Sequence, residues 1–170
     1  AQAAADGYTL TVGSVNLTNA VEWEIANGRK PPFTRHDFAA VGCFTMSPTI
    51  LIVPQESPYK NVSDLINAAK AKPGQLAFCS GGLYGMSHLP IEIFARAAGV
   101  KFNHIPFSGG GESLAAILGG KVTAGISGWG EYEGQIKAGK LRAIGLSSEK
   151  RLPGTDTPTL KEQGMDVTLT

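Results

Sequence analysis

The chain has 170 residues, the length of one average domain or of parts of two lobes. Its composition is 42% hydrophobic and 17% charged, which is typical of a globular protein. The formal net charge of +1 and the lack of a Lys/Arg cluster argue against a nucleic-acid partner, and no apolar run reaches the roughly 20 residues of a membrane span.

The first third of the sequence is predicted to contain two strand regions and one short helix. Residues 8–13 alternate in polarity and are rich in strand-forming residues, so they predict a strand. Residues 20–26 predict a short helix, and Pro31-Pro32 excludes a helix after it. Residues 38–53 are apolar but interrupted by Ser47-Pro48, which predicts two strands with a kink.

From residue 60 onward, helix and strand patterns alternate along the chain. This order predicts an α/β fold with a mainly parallel sheet and helices on both faces. A last helix is predicted from Thr157-Pro158 to Gly164. The alternating strands are predicted at 76–79, 102–106, 122–127 and 141–147, and the helices from Asn61 or Ser63 to Pro73 and at 89–98, 114–118 and 132–138.

Two glycine-rich turns are the most informative features of the sequence. Residues 80–88 read Ser-Gly-Gly-Leu-Tyr-Gly-Met-Ser-His, and residues 106–113 read Pro-Phe-Ser-Gly-Gly-Gly-Glu-Ser. Each turn follows a predicted strand and precedes a predicted helix, whose first N–H groups have no acceptor within the helix and favour negative charge. Ligands of such sheets bind at the carboxyl ends of strands. The turns therefore predict a pocket for a small anion, formed mostly by uncharged donors.

Some side chains near these turns have two open interpretations. His88 is either a packing or capping residue of the following helix or a hydrogen-bond donor to a ligand. Tyr84 and Trp129 either pack in the core or line a pocket wall. Glu112 is expected to interact favourably with the dipole of the helix that follows the second turn.

Motifs for catalysis, cofactors and metals are incomplete. Residues 134–140 match a phosphate-binding P-loop until Leu141 replaces the required hydroxyl residue, and Leu114 stands where a dinucleotide fingerprint needs glycine. Residues 125–129 nearly form a nucleophile elbow, which leaves a small α/β hydrolase using Ser127 as the alternative function. No cofactor is expected, because the P-loop and dinucleotide motifs are incomplete. No metal is expected, because the His and Cys spacings fit no metal site.

The two cysteines, Cys43 and Cys79, lie in apolar stretches and are expected to be buried thiols. A disulfide between them stays open, and two cysteines do not define a redox compartment.

Several segments, taken together, resemble the solute-binding receptors of tripartite tricarboxylate transporters, also called the Bordetella uptake gene family. They occur in the family's order with similar spacing and cover almost the whole chain. The matching segments are 6–10 (Asp-Gly-Tyr-Thr-Leu), 62–74, 80–82 with His88-Leu89, 104–107 (His-Ile-Pro-Phe), 118–122, 136–143, 157–160 (Thr-Pro-Thr-Leu) and 162–164.

The resemblance implies a type II periplasmic-binding-protein fold, in which two α/β lobes close on a small organic carboxylate without turnover. Membrane transporter subunits are the implied partners, and the periplasm is the implied location, with a signal peptide expected to have been removed. The chain is expected to be an internal fragment: residues 1–53 part of the first lobe, 54–143 the second lobe, and 144–170 a crossing strand with a partial return. Such a fragment is expected to bind weakly or not at all, and to self-associate.

The family binds its carboxylate through backbone amides, hydroxyls and ordered water rather than an arginine. Carried over by position, first-lobe contacts are expected from Ser14, Asn16 and Thr18. The identity of the acid stays open among tricarboxylates, dicarboxylates, aromatic acids and amino acids. A further alternative for the function of the chain is the ligand-binding domain of a transcription factor. The expected second-lobe contacts are Ser80, Gly81, Ser87, His88, Ser108, Gly109, Gly110 and Ser127.

Overall fold

The structure is a computed structural model that describes residues 6–13, 16–43 and 47–168. The chain divides into two compact units, Ala1–Thr45 and Met46–Thr170. In the described part of the chain, no helix is both long and apolar enough to cross a membrane.

The described residues of the first unit form one helix, α1 (Asn16–Ala26), and a 3-10 turn at Arg35–Asp37. The strand predicted at 8–13 is wrong: the segment is irregular, and Tyr8, Leu10 and Val12 are 92%, 77% and 86% exposed. Residues 38–43 are also irregular, so the first of the two strands predicted within 38–53 is wrong where the structure describes it. A strand is stabilised by its neighbour, and the described residues of this unit pair neither segment with one.

The second unit contains the predicted alternation of helices and strands. Four strands run parallel, and the first strand of the unit runs antiparallel between two of them in the order β3-β2-β4-β1-β5. The mainly parallel α/β architecture is therefore confirmed. Its elements are β1 (Thr49–Pro54), α2 (Val62–Ala71), β2 (Ala77–Ser80), α3 (His88–Ala98), β3 (Asn103–Pro106), α4 (Gly110–Leu118), β4 (Ala124–Gly128), α5 (Trp129–Lys137) and β5 (Leu141–Leu146).

Local signals explain where the helices begin and end. The Asn61 side chain accepts a hydrogen bond from the N–H of Asp64 at 2.8 Å and so caps α2. Helix α3 ends at Gly99, whose φ of 63° is a conformation that glycine adopts without strain. Pro90 fits the first turn of α3, where its missing N–H costs no helical hydrogen bond.

Apolar side chains bury both faces of the sheet. On one face, α2 and α3 contribute Leu65 and Phe94, which pack in one cluster with Phe78 of β2. On the other face, α4 and α5 contribute Ile117 and Tyr132 to a second cluster. The prediction of helices on both faces is confirmed, and the rigid sheet fixes the loops at its carboxyl edge.

The helix predicted at 157–164 is wrong, since only a 3-10 turn forms at Lys161–Gln163. Tertiary pairing overrides the helical pattern: Leu146 and Thr159 form a parallel bridge. Leu160 N–H donates to the Leu146 carbonyl at 2.7 Å, and Leu146 N–H donates to the Pro158 carbonyl at 3.0 Å. The segment therefore extends along the edge of β5 before it turns.

The two cysteines differ in environment. Cys79 is a buried thiol as predicted, and burial raises its pKa to about 12. The prediction for Cys43 is wrong because this residue is exposed on the irregular segment 38–43. Cys79 thus remains a protonated packing residue rather than a nucleophile at neutral pH.

Candidate ligand-binding site

The two glycine-rich turns lie side by side at the carboxyl ends of β2 and β3. Ser80 pairs with Pro106 in the parallel register, and Phe107 N–H donates to the Ser80 carbonyl at 2.9 Å. A Cβ atom added at Gly81 would lie 3.0 Å from the backbone nitrogen of Gly110. The predicted meeting of the two turns at one edge is therefore confirmed, and it depends on a position without a side chain.

The carboxylate of Glu131 lies between the end of β4 and the start of α4. Ser127 is buried at the end of β4, and its hydroxyl donates to Glu131 Oε2 at 2.7 Å. The same Oε2 atom lies 3.0 Å from where a Cβ atom of Gly110 would be. Sequence reasoning missed Glu131, because its contact with Ser127 joins a strand end to the following helix and its position beside Gly110 depends on packing between elements.

Ser80 has a structural role inside the first turn. It is 1% exposed, and its hydroxyl donates to the Gly82 carbonyl at 2.9 Å. Ser80 Oγ also lies 2.7 Å from His104 Nε2. This contact ties the turn to the neighbouring strand, and the tautomer of His104 decides which of the two atoms donates. His104 on β3 thus supports the turn, a role that the sequence did not indicate.

Ser87 and His88 fasten the first turn to its own backbone. Gly81 N–H donates to Ser87 Oγ at 3.0 Å, and Tyr84 N–H donates to His88 Nδ1 at 2.9 Å. Tyr84 has a φ of 60°, an uncommon conformation for a residue with a side chain. The imidazole of His88 therefore holds a strained turn in place, which matches the packing interpretation of this residue.

The rings of His88 and His104 stack, with centroids 4.1 Å apart and an interplanar angle of 10°. Burial lowers the pKa of His104, and the nearby His88 lowers it further, while Glu92 opposes the shift. His104 is therefore mainly neutral at physiological pH, and the first turn presents no imidazolium charge from this residue.

The second turn is arranged around the start of α4. Ser108 N–H donates to Glu112 Oε2 at 3.1 Å, so Glu112 supports the helix start as the sequence predicted. Ser113 Oγ donates to the Gly110 carbonyl at 2.9 Å. The N–H groups of Gly110 and Gly111 belong to the first turn of α4 and have no acceptor within the helix. The Gly110 nitrogen is the atom that a Cβ added at Gly81 would approach most closely, at 3.0 Å.

The described geometry brings together the predicted second-lobe residues of both turns, and Ser127 joins them through Glu131. Their roles in binding stay predictions. Ser14 lies outside the described residues, as do the side chains of Asn16 and Thr18, which occupy the first turn of α1. Among the described residues, no three His, Cys, Asp or Glu side chains are grouped as metal ligands.

The mixed α/β sheet covered by helices on both faces matches the fold of a solved periplasmic transporter and of a solved TctC solute-binding protein, which defines the class of this protein as a periplasmic-binding-type α/β fold. A family model described as tripartite tricarboxylate transporter family receptor matches residues 1–169. The chain belongs to this receptor family, and the resemblance noted from its sequence segments is confirmed.

This chain is similar in sequence to curated relatives and similar in fold to solved structures. The UPF0065 protein in the gbd 5'region of Cupriavidus necator is 41% identical over 71% of this chain and 37% of its own length. A solved structure of a periplasmic transporter has a TM-score of 0.86 and 28% identity, covering 96% of this chain and 55% of that one. The Rpa4515 protein of R. palustris, solved with adipate, has a TM-score of 0.69 and 28% identity over 73% of this chain and 42% of its own.

The chain spans between about a third and one half of the length of the curated relatives that it matches, with coverages of 37%, 48% and 50% for three of them. The described site is therefore built from one portion of the receptor fold.

Proposed function

We propose that this chain is part of an extracytoplasmic solute-binding receptor that captures a small organic carboxylate in the periplasm. The receptor then passes the acid to the membrane subunits of a tripartite tricarboxylate-type transporter. The observation that carries the proposal is the contact of the two glycine turns at the carboxyl edge of the sheet, in a chain of this receptor family. A relative solved with adipate supports the carboxylate class.

The chemistry of the site suits binding of an acid rather than catalysis. Helices α3 and α4 both begin at the turns, and their N-terminal dipoles favour a negative group. Hydroxyl and amide donors from Ser108, Gly109 and Gly110 add hydrogen bonds that need no cofactor. Each hydrogen bond to a charged group contributes roughly 1.5–3 kcal/mol, whereas micromolar affinity requires about 8 kcal/mol.

That comparison implies that binding is shared between two lobes. Four or five such hydrogen bonds are needed after the ordering costs, and Ser14, Asn16 and Thr18 are the proposed contributors from the first lobe. We assign residues 1–53 to part of that lobe, 54–143 to the second lobe, and 144–170 to the crossing strand and return. This chain alone is expected to bind acids only weakly, and its exposed apolar residues favour self-association.

The hydrolase alternative gains no support from the comparisons. Its proposed nucleophile, Ser127, is hydrogen-bonded to the carboxylate of Glu131, whereas nucleophilic serines are usually activated by a histidine. Capture and release without turnover is therefore the function proposed here.

Calorimetric titration with adipate, citrate and malate tests the proposal. Ser108→Ala removes an exposed hydroxyl at the second turn and should weaken binding of the best acid about fivefold to thirtyfold. Ser63→Ala, which removes an exposed hydroxyl on α2, is the matched control and should leave binding unchanged. Failure of all organic acids to bind, or equal losses in the two variants, would refute the proposal.

A further inference from the structure

Two carboxylates lie among the neutral donors of the proposed site: Glu112, which accepts from the N–H of Ser108, and Glu131. Glu131 lies in the first turn of α5, directly after β4. Its Oε2 atom accepts the hydroxyl proton of Ser127 at 2.7 Å. Measured from the position of a Cβ atom added to Gly110, Oε2 and Oε1 lie at 3.0 Å and 3.4 Å. Both oxygens therefore face the first residue of α4.

The position of Glu131 has a direct electrostatic consequence. It lies against the start of α4, where the helix dipole favours an anion and where the second turn offers its donors. Glu131 is an exposed residue whose carboxylate accepts from the Ser127 hydroxyl and lies where a side chain of Gly110 would be, and no ion pair of the described residues joins it to Lys or Arg. Its negative charge is thus available at the edge of the site.

A ligand that presents only carboxylates to these donors meets the like charge of Glu131 at short range, which disfavours its binding. A ligand with an ammonium group beside its carboxylate has the opposite effect. Its carboxylate is able to reach the backbone donors of α4, while the ammonium donates to Glu131 in a charge-assisted hydrogen bond. The site is therefore arranged to distinguish these two kinds of acid.

We propose that Glu131 is a specificity-determining residue that selects α-amino dicarboxylic acids over the same acids without the amino group. This inference rests on the proposed function, because it concerns the ligand of the same site. Ser127 orients the carboxylate through its hydrogen bond, and Gly110 allows the close approach because it has no side chain.

The test compares pairs of acids that share a carbon skeleton: aspartate with succinate, glutamate with glutarate, and 2-aminoadipate with adipate. Calorimetric titration of the unaltered chain should show at least a tenfold preference for the amino acid in whichever pair binds. Glu131→Gln keeps the shape of the side chain and an acceptor for Ser127 but removes the charge. It should reduce this preference at least tenfold, partly through tighter binding of the plain acid.

Glu133→Gln is the matched control, since Glu133 lies on the same helix and pairs with Lys137 at 2.7 Å. This variant should keep the preference of the unaltered chain. Binding with no preference, or a preference that Glu131→Gln leaves unchanged, overturns the role of Glu131 and leaves the proposed function standing. Failure of every acid to bind the chain and both variants overturns the proposed function as well.

Discussion

At Gly81 the first glycine-rich turn lies against the backbone of the second. An added Cβ atom would lie 3.0 Å and 3.1 Å from backbone atoms of Gly110 and Gly109, which have no flexible end to move aside. Gly81→Ala should therefore separate the turns, lower the free energy of unfolding by about 1–3 kcal/mol and weaken acid binding. Urea denaturation and calorimetric titration measure the two effects.

Gly111→Ala is the matched control for this substitution. A Cβ atom at Gly111 would meet no atom within 4 Å outside its chain neighbours and the nearby backbone of its own helix, and the residue lies in the first turn of α4. Alanine is the better helix former, so this variant should be neutral or up to about 1 kcal/mol more stable. Equal destabilisation of the two variants would show that the close contact between the turns is not what Gly81 provides.

His104 makes stability depend on pH. Burial and the neighbouring His88 lower its pKa in the folded protein, so the unfolded chain takes up a proton first as the pH falls. The contribution of His104 to stability is complete above the unfolded pKa of about 6.5. It is lost as the pH falls from there through the lower folded pKa.

Thermal unfolding between pH 5 and pH 8 checks this expectation. The melting temperature of the unaltered chain should fall more steeply below pH 6.5 than that of His104→Gln, whose amide is able to donate to Ser80. Parallel profiles of the two proteins would contradict the assignment of this pH dependence to His104.

The sequence alone predicted some residues of the site but not others. The glycine and serine residues of the two turns were recognisable because they follow strands and precede helices, and that order alone places them at one sheet edge. Glu131 and His104 were missed because their contacts are with residues of other elements, Gly110 and Ser80 respectively. Contacts between elements depend on packing that no local pattern contains.

Among helices and strands, the correct predictions differ from the wrong ones in how far local sequence determines the conformation. Strands and helices from β2 to β5 were predicted because each carries a clear period, a cap or a terminating glycine. The strand at 8–13 and the helix at 157–164 failed because their conformation depends on a pairing partner. Residues 8–13 are not paired in a strand, and Thr159 pairs with Leu146.

Helix α3 should contribute to stability through one face only. Phe94 is fully buried and packs near Phe102 with ring centroids 5.8 Å apart, whereas Ile93 on the same helix is 43% exposed. Phe94→Ala should cost about 3–5 kcal/mol of unfolding free energy because it leaves a cavity. Ile93→Ala should cost less than about 1 kcal/mol. Urea denaturation compares the two, and similar losses would contradict the assigned faces.

For the whole molecule, the second unit contains the five strands of the described residues and both glycine turns. The division explains why the fold class was predictable although the first unit was not. When helices and strands alternate along the chain, their order predicts that the strands pair in one parallel sheet. The first unit offers no such order, since it has one described helix and no described strand. It also places the proposed second-lobe donors on a rigid frame. We therefore expect the second unit to bind an acid weakly without further donors.

The most direct measurement of the central claim is an NMR titration of the ¹⁵N-labelled chain with a small dicarboxylate and its α-amino counterpart. We predict saturable, millimolar shifts concentrated at the amides of Gly81, 109–111 and Ser127, with chloride at equal ionic strength as the control. Shifts spread over the surface, or shifts confined to one of the two turns, would contradict the claim that both turns form one carboxylate site.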